Sequence, residues 1–245
     1  MTVFYYENLL STTEIILPED EAKHCLKVLR MKVGDFLHLT DGKGNIAEVI
    51  IRADNLKKCI VEVKNIQYEA KTHTHRIHIA IAPTKNTDRM EWFVEKCVEI
   101  GIDEISFLQT EHSERSYFNG ERMAKKAIAA MKQSLNFHLP ILHEQISIQK
   151  FFANIAAQNK IATSNQAKTE LFIAYVDKEN PINLFQAASK NSSYCVLIGP
   201  EGDFSKAELA QAISLGFQCV SLGNSRLRTE TAGIVACHTL QLLQS

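Results

Sequence analysis

The sequence predicts an α/β protein with a mainly parallel sheet, preceded by a small β-rich module. From residue 76 onwards, short apolar stretches typical of buried strands alternate with amphipathic helical stretches, which is the pattern of a parallel sheet. Before residue 72, strand-like stretches follow one another with turn residues between them. We therefore predict two domains, residues 1–72 and 73–245, with the boundary in the polar stretch 71–76.

The composition indicates a folded cytoplasmic protein. The 245 residues are 45% hydrophobic and 22% charged, and the formal net charge of −1 gives no global sign of a nucleic-acid partner. No apolar run is long enough to cross a bilayer, and the first residues lack the features of a signal peptide. The six cysteines form no CxxC pair, which predicts buried free thiols in a reducing compartment.

Three histidines lie close together near the predicted domain boundary. His73, His75 and His78 could together approach a metal ion, but no cysteine or carboxylate beside them completes a ligand set. We therefore interpret the stretch as a connector and expect no metal.

The N-terminal module contains a predicted hairpin. Strands are expected at 36–40 and 46–51, on either side of the turn Asp41-Gly42-Lys43-Gly44-Asn45, and a third strand is expected at 60–66. The glycines of this turn superficially fit a dinucleotide-binding motif. That motif leads into a helix, whereas this turn leads into a predicted strand, so we reject it.

A predicted helix at 19–31 carries a basic face. Lys23, Lys27 and Arg30 recur at i, i+4 and i+7, while the apolar residues lie on another face. Two interpretations stay open: the cations contact RNA phosphates, or they form an ordinary solvated face. A second basic stretch, the predicted helix at 122–137, carries Arg122 and Lys126.

The second domain is predicted to alternate five strands with five helices. The strands are short apolar stretches, at 76–82, 105–108, 171–176, 195–198 and 219–222. The helices show helical spacing of apolar residues, at 88–100, 122–137, 182–189, 206–215 and 231–243. Asp88 is predicted to cap the first of these helices, and Gly101 to end it.

Two loops after the last two predicted strands point to a binding site. The first, Gly199-Pro200-Glu201-Gly202, leads to Ser205 and Glu208, which have the spacing of a capping box. The second runs from residue 222 to residue 232. Because the carboxyl ends of parallel strands meet at one sheet edge, we expect the two loops to wall one pocket. The sequence lacks a P-loop, a GxSxG motif and a GxGxxG motif at the first strand–helix turn, which disfavours the corresponding sites.

These loops resemble the C-terminal motifs of the SPOUT methyltransferases. The motifs are Gly199-Pro200-Glu201-Gly202 with Phe204-Ser205, and Leu222-Gly223 with Leu227-Arg228-Thr229-Glu230-Thr231-Ala232. The resemblance is strongest to the RsmE family, which methylates N3 of a uridine in the RNA of the small ribosomal subunit. Further matches include Val28-Leu29-Arg30, Pro83-Thr84-Lys85, Asp88-Arg89-Met90-Glu91 and Ser113-Glu114-Arg115.

The resemblance implies an architecture, a cofactor and partners. The N-terminal module would be a PUA-like β-barrel that binds RNA, and the C-terminal domain would carry a deep trefoil knot. S-adenosylmethionine would bind in the knot. The protein would be a homodimer that acts on 16S rRNA within the 30S subunit. With Arg115 from the motif at 113–115, the expected RNA-binding residues are Lys23, Lys27, Arg30, Arg115, Arg122 and Lys126.

The resemblance also implies which residues hold the cofactor. Glycines would allow the backbone to approach it closely, and apolar side chains would flank the adenine. The expected cofactor-binding residues are Leu197, Ile198, Gly199, Pro200, Glu201, Gly202, Leu222, Gly223, Asn224, Leu227, Arg228 and Thr229. The chain departs from the family pattern at Asp203, where the family usually has a second glycine, and at Lys132 and Asn136.

Methyl transfer to N3 of uridine requires that the N3 proton leaves. We expect Arg228 to stabilise the resulting negative charge, and Glu201 or Glu230 to accept the proton. The alternatives are that Glu230 only caps the last helix and that Arg228 only pairs with Glu230 or a neighbouring subunit. Two other functions also stay open. One is a SPOUT methyltransferase that acts on tRNA or on a 2′-hydroxyl, and the other is a non-catalytic RNA-binding protein of ribosome assembly.

Overall fold

Two β-sheets organise the chain, and each belongs to its own compact unit. The computed structural model describes residues 2–71, 75–114, 118–161, 169–175 and 182–244. Unit 1 comprises residues 1–72 and 128–139, and unit 2 comprises residues 73–127 and 140–245. The segment 128–139, which the sequence analysis assigned to the second domain, therefore groups with the N-terminal unit.

Unit 1 is built on a five-stranded sheet. Its strands are β1 (Val3–Tyr5), β2 (Glu14–Ile16), β3 (Phe36–Thr40), β4 (Asn45–Asn55) and β5 (Lys58–Tyr68). They lie in the order β1-β3-β4-β5-β2. β3 and β4 form the predicted antiparallel hairpin, with Leu37 opposite Val49, and both side chains are buried. The β-rich prediction for this module is confirmed, although β1 and β2 were not predicted.

The turn of this hairpin is held from two sides. The carboxylate of Asp41 accepts the N–H of Lys43 at 2.8 Å. The N–H of Gly44 donates to the carbonyl oxygen of Phe137 at 2.9 Å, so the segment 128–139 closes over the turn. The turn then leads into strand β4, which agrees with our rejection of a dinucleotide motif at these glycines.

The predicted helix at 19–31 is shorter and less regular than expected. α1 (Glu19–Lys23) continues as a π-helix (His24–Val28). Arg30 then adopts φ 56°, a left-handed conformation that no helix contains. Because a π-turn holds more residues than an α-turn, the three predicted cations do not share one straight helical face.

Unit 2 contains the predicted parallel sheet. Its strands are β6 (Ile77–Ile81), β7 (Glu104–Gln109), β8 (Ile141–Leu142), β9 (Ile146–Ser147), β10 (Thr169–Ala174), β11 (Ser193–Ile198) and β12 (Gln218–Val220). The order is β12-β10-β11-β6-β7-β8, and β9 pairs separately with β7. All pairings between these described strands are parallel, which confirms the predicted fold class.

Six helices are described after β6. They are α2 (Thr87–Ile100), α3 (Gly120–Ser134), α4 (Ile148–Ile161), α5 (Leu184–Ala187), α6 (Lys206–Ser214) and α7 (Thr229–Gln244). Five were predicted with shifted ends. α3, whose second half belongs to unit 1, ends earlier than predicted because Leu135 has φ 55°. α4 was not predicted, although Ser147 accepts the N–H of Lys150 at 3.2 Å and is a recognisable capping residue.

The two ends of α2 illustrate one wrong and one confirmed prediction. The side chain of Asn86, and not that of Asp88, caps the helix by accepting the N–H of Asp88 at 2.9 Å. Asp88 instead lies in the first turn, where its negative charge suits the helix dipole. At the other end, Gly101 adopts φ 102° and ends the helix as predicted.

Helices cover both faces of the sheet. Because successive strand residues point to opposite faces, Ala80 and Ile81 face different layers. Ala80 belongs to a buried cluster with Phe151 of α4. On the other face, a methyl group at Gly233 of α7 would lie 3.2 Å from Ile81 Cδ1 and would overlap the ring of Phe93 of α2. The backbone of α7 therefore packs directly on its neighbours.

The cysteines, the absence of a membrane span and the knot were also predicted from the sequence. All six cysteines are free thiols, and all but the half-buried Cys219 are buried, as predicted. Within the described residues, no helix has the length and apolar character that a membrane span requires. The deep trefoil knot implied by the resemblance stays a prediction.

We predict that Gly233→Ala destabilises the protein, because the added methyl group would meet the buried ring of Phe93. Gly120→Ala is the matched control, because a methyl group there would meet no neighbour within 4 Å and Gly120 also lies in a helix. Overpacking costs roughly 1–3 kcal/mol, and urea unfolding should show this difference between the two variants. Equal stability of the two variants would contradict the close packing of α7.

Candidate functional site

The two glycine-containing loops meet at the carboxyl ends of β11 and β12 and wall one cavity, as predicted. Its volume is about 560 Å³, which lies within the range of small-molecule sites, roughly 300–1000 Å³. The end of β10 and the start of α2 complete the wall. The lining residues are Arg89, Ala174, Tyr175, Ile198, Gly199, Pro200, Glu201, Asp203, Val220, Leu222, Gly223, Asn224, Ser225, Arg226, Leu227, Arg228, Thr229, Glu230 and Ala232.

The second loop holds the first loop through backbone carbonyl groups. The hydroxyl of Thr229 donates to the carbonyl oxygen of Gly199 at 3.0 Å. The guanidinium of Arg226 donates to the carbonyl oxygen of Glu201 at 3.4 Å. These contacts join the end of β11 to the segment that starts α7, so the two loops form one structure.

The remaining carbonyl groups of the first loop are also hydrogen-bonded. The carbonyl oxygen of Pro200 accepts the N–H of Asp203 at 3.0 Å, which closes a tight turn. Nδ1 of His112 lies 3.1 Å from the carbonyl oxygen of Gly202 and 3.0 Å from that of Asp203. Each of the five carbonyls from residue 199 to residue 203 therefore has a hydrogen-bond partner.

Unlike the five carbonyl groups, two N–H groups of this loop have no hydrogen-bond partner among the described residues. Among the described residues, none accepts a hydrogen bond from the N–H of Glu201 or Gly202. Because the carbonyl groups are taken, these backbone donors are what the loop can offer to a ligand.

Asp203 occupies a backbone conformation that explains why a glycine would suit this position. Its φ is 60°, in the left-handed region that favours glycine and that aspartate tolerates better than most residues. Its carboxylate accepts the N–H of Phe204 at 2.8 Å. Burial raises the pKa of Asp203, while that hydrogen bond and the positive charges of Arg226 and His112 act in the opposite direction.

The predicted capping box is confirmed and also reaches a neighbouring loop. The carboxylate of Glu208 accepts the N–H of Ser205 at 2.9 Å, and the hydroxyl of Ser205 accepts the N–H of Glu208 at 3.3 Å. The other oxygen of Glu208 accepts the N–H of Glu111 at 2.8 Å. Glu208 is only 3% exposed, so the loop after β7 is fixed against the start of α6.

The glycines of the two loops are required for different reasons. A side chain at Gly199 would meet Asp203 Oδ1 at 3.1 Å and the ring of Phe204 at 3.2 Å. Its φ is not positive, so close packing, and not backbone conformation, favours glycine there. Gly223 has the opposite properties, because its φ is 127° and no atom lies within 4 Å of an added Cβ.

A buried carboxylate faces the cavity beside an arginine. Glu230, in the first turn of α7, is 4% exposed, and its Oε1 lies 3.7 Å from Nε of Arg89. Its other oxygen has no hydrogen-bond partner among the described residues. Arg228 is exposed in the same cavity wall and forms no ion pair with a described carboxylate. The alternative that Arg228 pairs with Glu230 is therefore not what the structure shows within the chain.

Comparison with protein families identifies the chain. A model described as the RNA methyltransferase domain matches residues 71–241, and a model described as the RNA methyltransferase PUA domain matches residues 17–64. The chain belongs to the RNA methyltransferase family. The expectation of a PUA-like N-terminal module is thereby confirmed.

The similarity to individual relatives covers nearly the whole length of this methyltransferase. A solved structure of a probable rRNA-methyltransferase from Porphyromonas gingivalis is 43% identical, covers 99% of both chains and has a TM-score of 0.85. A curated relative from Rickettsia conorii, named Ribosomal RNA small subunit methyltransferase E, is 29% identical and covers 99% of this chain and 96% of its own. The structure of a Neisseria gonorrhoeae protein of the same name, bound to S-adenosyl methionine, is 24% identical, covers 100% of this chain and 98% of its own, and has a TM-score of 0.82, which shows the fold.

Most of the residues predicted to bind a cofactor line the cavity of the methyltransferase, but two do not. Leu197 lies in the buried cluster on the other face of the sheet, because it alternates with Ile198 along β11. Gly202 faces His112 instead.

Several lining residues were missed by the sequence analysis. Arg89 lies far from the two loops in the sequence, although it belongs to one of the motifs that carry the family resemblance. The others follow strands or lie inside the loops, and they are Ala174, Tyr175, Asp203, Val220, Ser225, Arg226 and Ala232.

Most of the predicted RNA-binding cations that the structure describes are engaged in ion pairs. Lys23 pairs with Glu19 at 2.6 Å in unit 1. In unit 2, the carboxylates of α2 neutralise the two cations of α3. Arg122 pairs with Asp88 and Glu91, and Lys126 pairs with Glu91 and Glu95.

Two of the predicted cations form no ion pair with a described carboxylate, and one lies outside the described residues. Lys27 and Arg30 project from the surface of unit 1, and neither forms an ion pair with a described carboxylate. Arg115 lies outside the described residues.

Of the three histidines near the unit boundary, His78 contacts groups of unit 2. Burial lowers the pKa of His78 to about 4, against the opposing influence of Glu104. Its neutral ring shares a hydrogen bond with the hydroxyl of Ser106 at 2.9 Å. His73 lies outside the described residues. Among the described residues, no group of three or more His, Cys, Asp or Glu side chains is arranged to hold a metal ion.

Proposed function

We propose that this methyltransferase uses S-adenosylmethionine to methylate N3 of a uridine in 16S rRNA. The observation that carries the proposal is one cavity that joins a hydrogen-bonded glycine loop to Arg228 and to the buried carboxylate of Glu230. The curated name Ribosomal RNA small subunit methyltransferase E of full-length relatives supports the substrate class.

The residues of the cavity fit S-adenosylmethionine. Apolar Val220, Leu222 and Leu227 suit the flat face of adenine, and the open N–H of the lining residue Glu201 suits a polar atom of the ligand. The carboxylates of Glu201 and Glu230 complement the positive charges of the molecule. When bound, S-adenosylmethionine supplies an activated methyl group on a sulfonium.

Charged residues of the cavity would help to deprotonate the uridine and stabilise the anion that forms. N3 is nucleophilic only after its proton leaves, and the negative charge then spreads to the ring oxygens. Arg228, exposed in the cavity wall and without an ion-pair partner among the described residues, would stabilise that charge. Of the two predicted bases, Glu230 is the better placed, because it is buried at the cavity wall and one of its oxygens has no hydrogen-bond partner among the described residues.

RNA contact is assigned to the exposed cations of unit 1. Lys27 and Arg30 carry charges that no described carboxylate neutralises, so they are best suited to phosphates. Lys23, Arg122 and Lys126 would first have to leave their ion pairs, and Arg115 stays a prediction.

The remaining expectations about partners belong to the same proposal. We propose that the enzyme acts on the 30S subunit in the cytoplasm, as a homodimer with a knotted C-terminal domain and without a metal ion. The boundary between an RNA-binding N-terminal domain and a catalytic domain near residue 72 is also part of this proposal.

The proposal is tested by methylation of 30S subunits from a strain that lacks the gene. We expect transfer of labelled methyl groups from S-adenosylmethionine in the presence of EDTA, with 3-methyluridine as the product in nucleoside mass spectrometry of 16S rRNA. Product on tRNA or at a 2′-hydroxyl would support another target. RNA binding without any methyl transfer would support the non-catalytic alternative.

Cofactor binding should depend on the close packing around Gly199 and on the positive φ of Gly223. We predict that Gly199→Val and Gly223→Val each abolish binding of S-adenosylmethionine in calorimetry, the first by a steric clash and the second by backbone strain. Gly34→Val is the control, because Gly34 also has a positive φ of 96° but lies in unit 1. Wild-type affinity in either loop variant would refute this assignment.

Arg228→Lys should slow methyl transfer more than it weakens cofactor binding. Lysine keeps the charge but loses the planar donor fork, and the loss of one such stabilising donor typically costs about 100- to 1000-fold in rate. Single-turnover methylation measures this step, and sedimentation of the same sample shows whether the assembly is intact. Arg52→Lys, which alters an exposed ion pair in unit 1, is the control. A wild-type rate would remove Arg228 from the catalytic residues.

A further inference from the structure

His112 contacts the first loop of the cavity from outside the cavity itself. It lies in the segment that follows β7, and its Nδ1 lies 3.1 Å and 3.0 Å from the carbonyl oxygens of Gly202 and Asp203. Among the described side chains, it alone serves two of the five loop carbonyls. No other described residue donates a hydrogen bond to these two oxygens.

The segment that carries His112 is itself held in place. The N–H of Thr110 donates to the hydroxyl of Ser113 at 2.9 Å, and the N–H of Ser113 donates to the carbonyl oxygen of Thr110 at 3.2 Å. Between them, the N–H of Glu111 is bound by the buried carboxylate of Glu208. His112 therefore projects from a short turn whose backbone is fixed on both sides.

Packing adds to the hydrogen bonds. A Cβ atom built on Gly202 would lie 3.1 Å from Cβ of His112, which is tighter than ordinary van der Waals contact. The imidazole and its Cβ thus block movement of the loop towards the segment after β7. On the opposite side, the same loop is held by Thr229 and Arg226.

We propose that His112 is a positioning residue that fixes the Gly202–Asp203 end of the cofactor loop and thereby sets the affinity for S-adenosylmethionine. The inference rests on the proposed function for its ligand. His112 does not line the cavity, so its effect passes through the backbone of the loop.

The charges around His112 favour a donating Nδ1. Its pKa is raised, chiefly by the carbonyl of Asp203, and the carboxylates of Glu111 and Glu208 act in the same direction. The carboxyl of Asp203 also lies near His112 and is itself influenced by the positive charge of Arg226. Nδ1 can carry a proton in both the neutral ring and the cation, so the contact does not require a charged histidine.

Three variants separate the hydrogen bond from the packing. In His112→Asn, the side-chain amide can place a donor near the position of Nδ1. In His112→Phe, a ring of similar size remains but the donor is lost, and in His112→Ala both are lost. Because a net hydrogen bond contributes about 0.5–1.5 kcal/mol, the dissociation constant and KM for the cofactor should rise roughly 2- to 12-fold in His112→Phe, with little change in kcat.

The test measures cofactor affinity, steady-state kinetics and amide hydrogen exchange of residues 199–205 without cofactor. We expect His112→Phe to speed exchange in this loop and raise KM, His112→Asn to restore both, and His112→Ala to be at least as impaired as His112→Phe. Equal behaviour of the Asn and Phe variants, or unchanged exchange and KM, would overturn the inference.

The exchange measurement also separates this inference from the proposed function. If the wild-type protein bound no S-adenosylmethionine, the proposed function would fail, and the stated role of His112 in affinity would fail with it. Faster amide exchange of the loop in His112→Phe would then still show that His112 fixes the loop, and only the identity of the ligand would be wrong. If the wild-type protein bound S-adenosylmethionine and His112→Phe showed unchanged affinity and unchanged loop exchange, the proposed function would stand and the role of His112 would be rejected.

Discussion

Five consecutive carbonyl groups after the end of β11 need hydrogen-bond donors, and all but one of these donors come from distant parts of the chain. One comes from within the turn, one comes from Arg226 in the loop before α7, and one comes from Thr229 at the start of α7. The remaining two carbonyls share His112. A buried or crowded backbone group without a partner costs about as much as a lost hydrogen bond. The loop can therefore hold its shape only when β7, β11 and α7 are all in place.

The hydrogen bonds of this loop also position the charged side chains of the cavity. Thr229 both binds the carbonyl of Gly199 and begins α7, and the next residue is Glu230. The close packing of Gly233 against Phe93 sets α7 against α2, the helix that carries Arg89. Small side chains and satisfied backbone groups thus place a carboxylate and an arginine at one wall of the cavity.

The sequence predicted the elements well where local signals are strong. The alternation of strands and helices, the capping box at Ser205 and the end of α2 at Gly101 all follow from short-range chemistry, and all are confirmed. The cap at Asn86 was assigned to Asp88 because two good capping residues stand two positions apart.

The parts that escaped prediction depend on tertiary contacts. Arg89 reaches the cavity only because α2 and α7 pack together, and no local pattern records that contact. Leu197 was misplaced because an apolar strand buried on both faces gives no alternation to follow. The ion pairs of Arg122 and Lys126 likewise need the spatial pairing of two helices, which a basic stretch in the sequence does not reveal.

The closure of the hairpin turn in unit 1 by the segment 128–139 bears on how this protein can be divided. A gene fragment that stops at residue 72 would encode every strand of the first sheet but would leave the N–H of Gly44 without the carbonyl of Phe137. The N-terminal module is thus discontinuous in the gene. Recombination that exchanged it between enzymes as a single contiguous cassette would separate it from its own last segment, so any such transfer would have to carry both pieces.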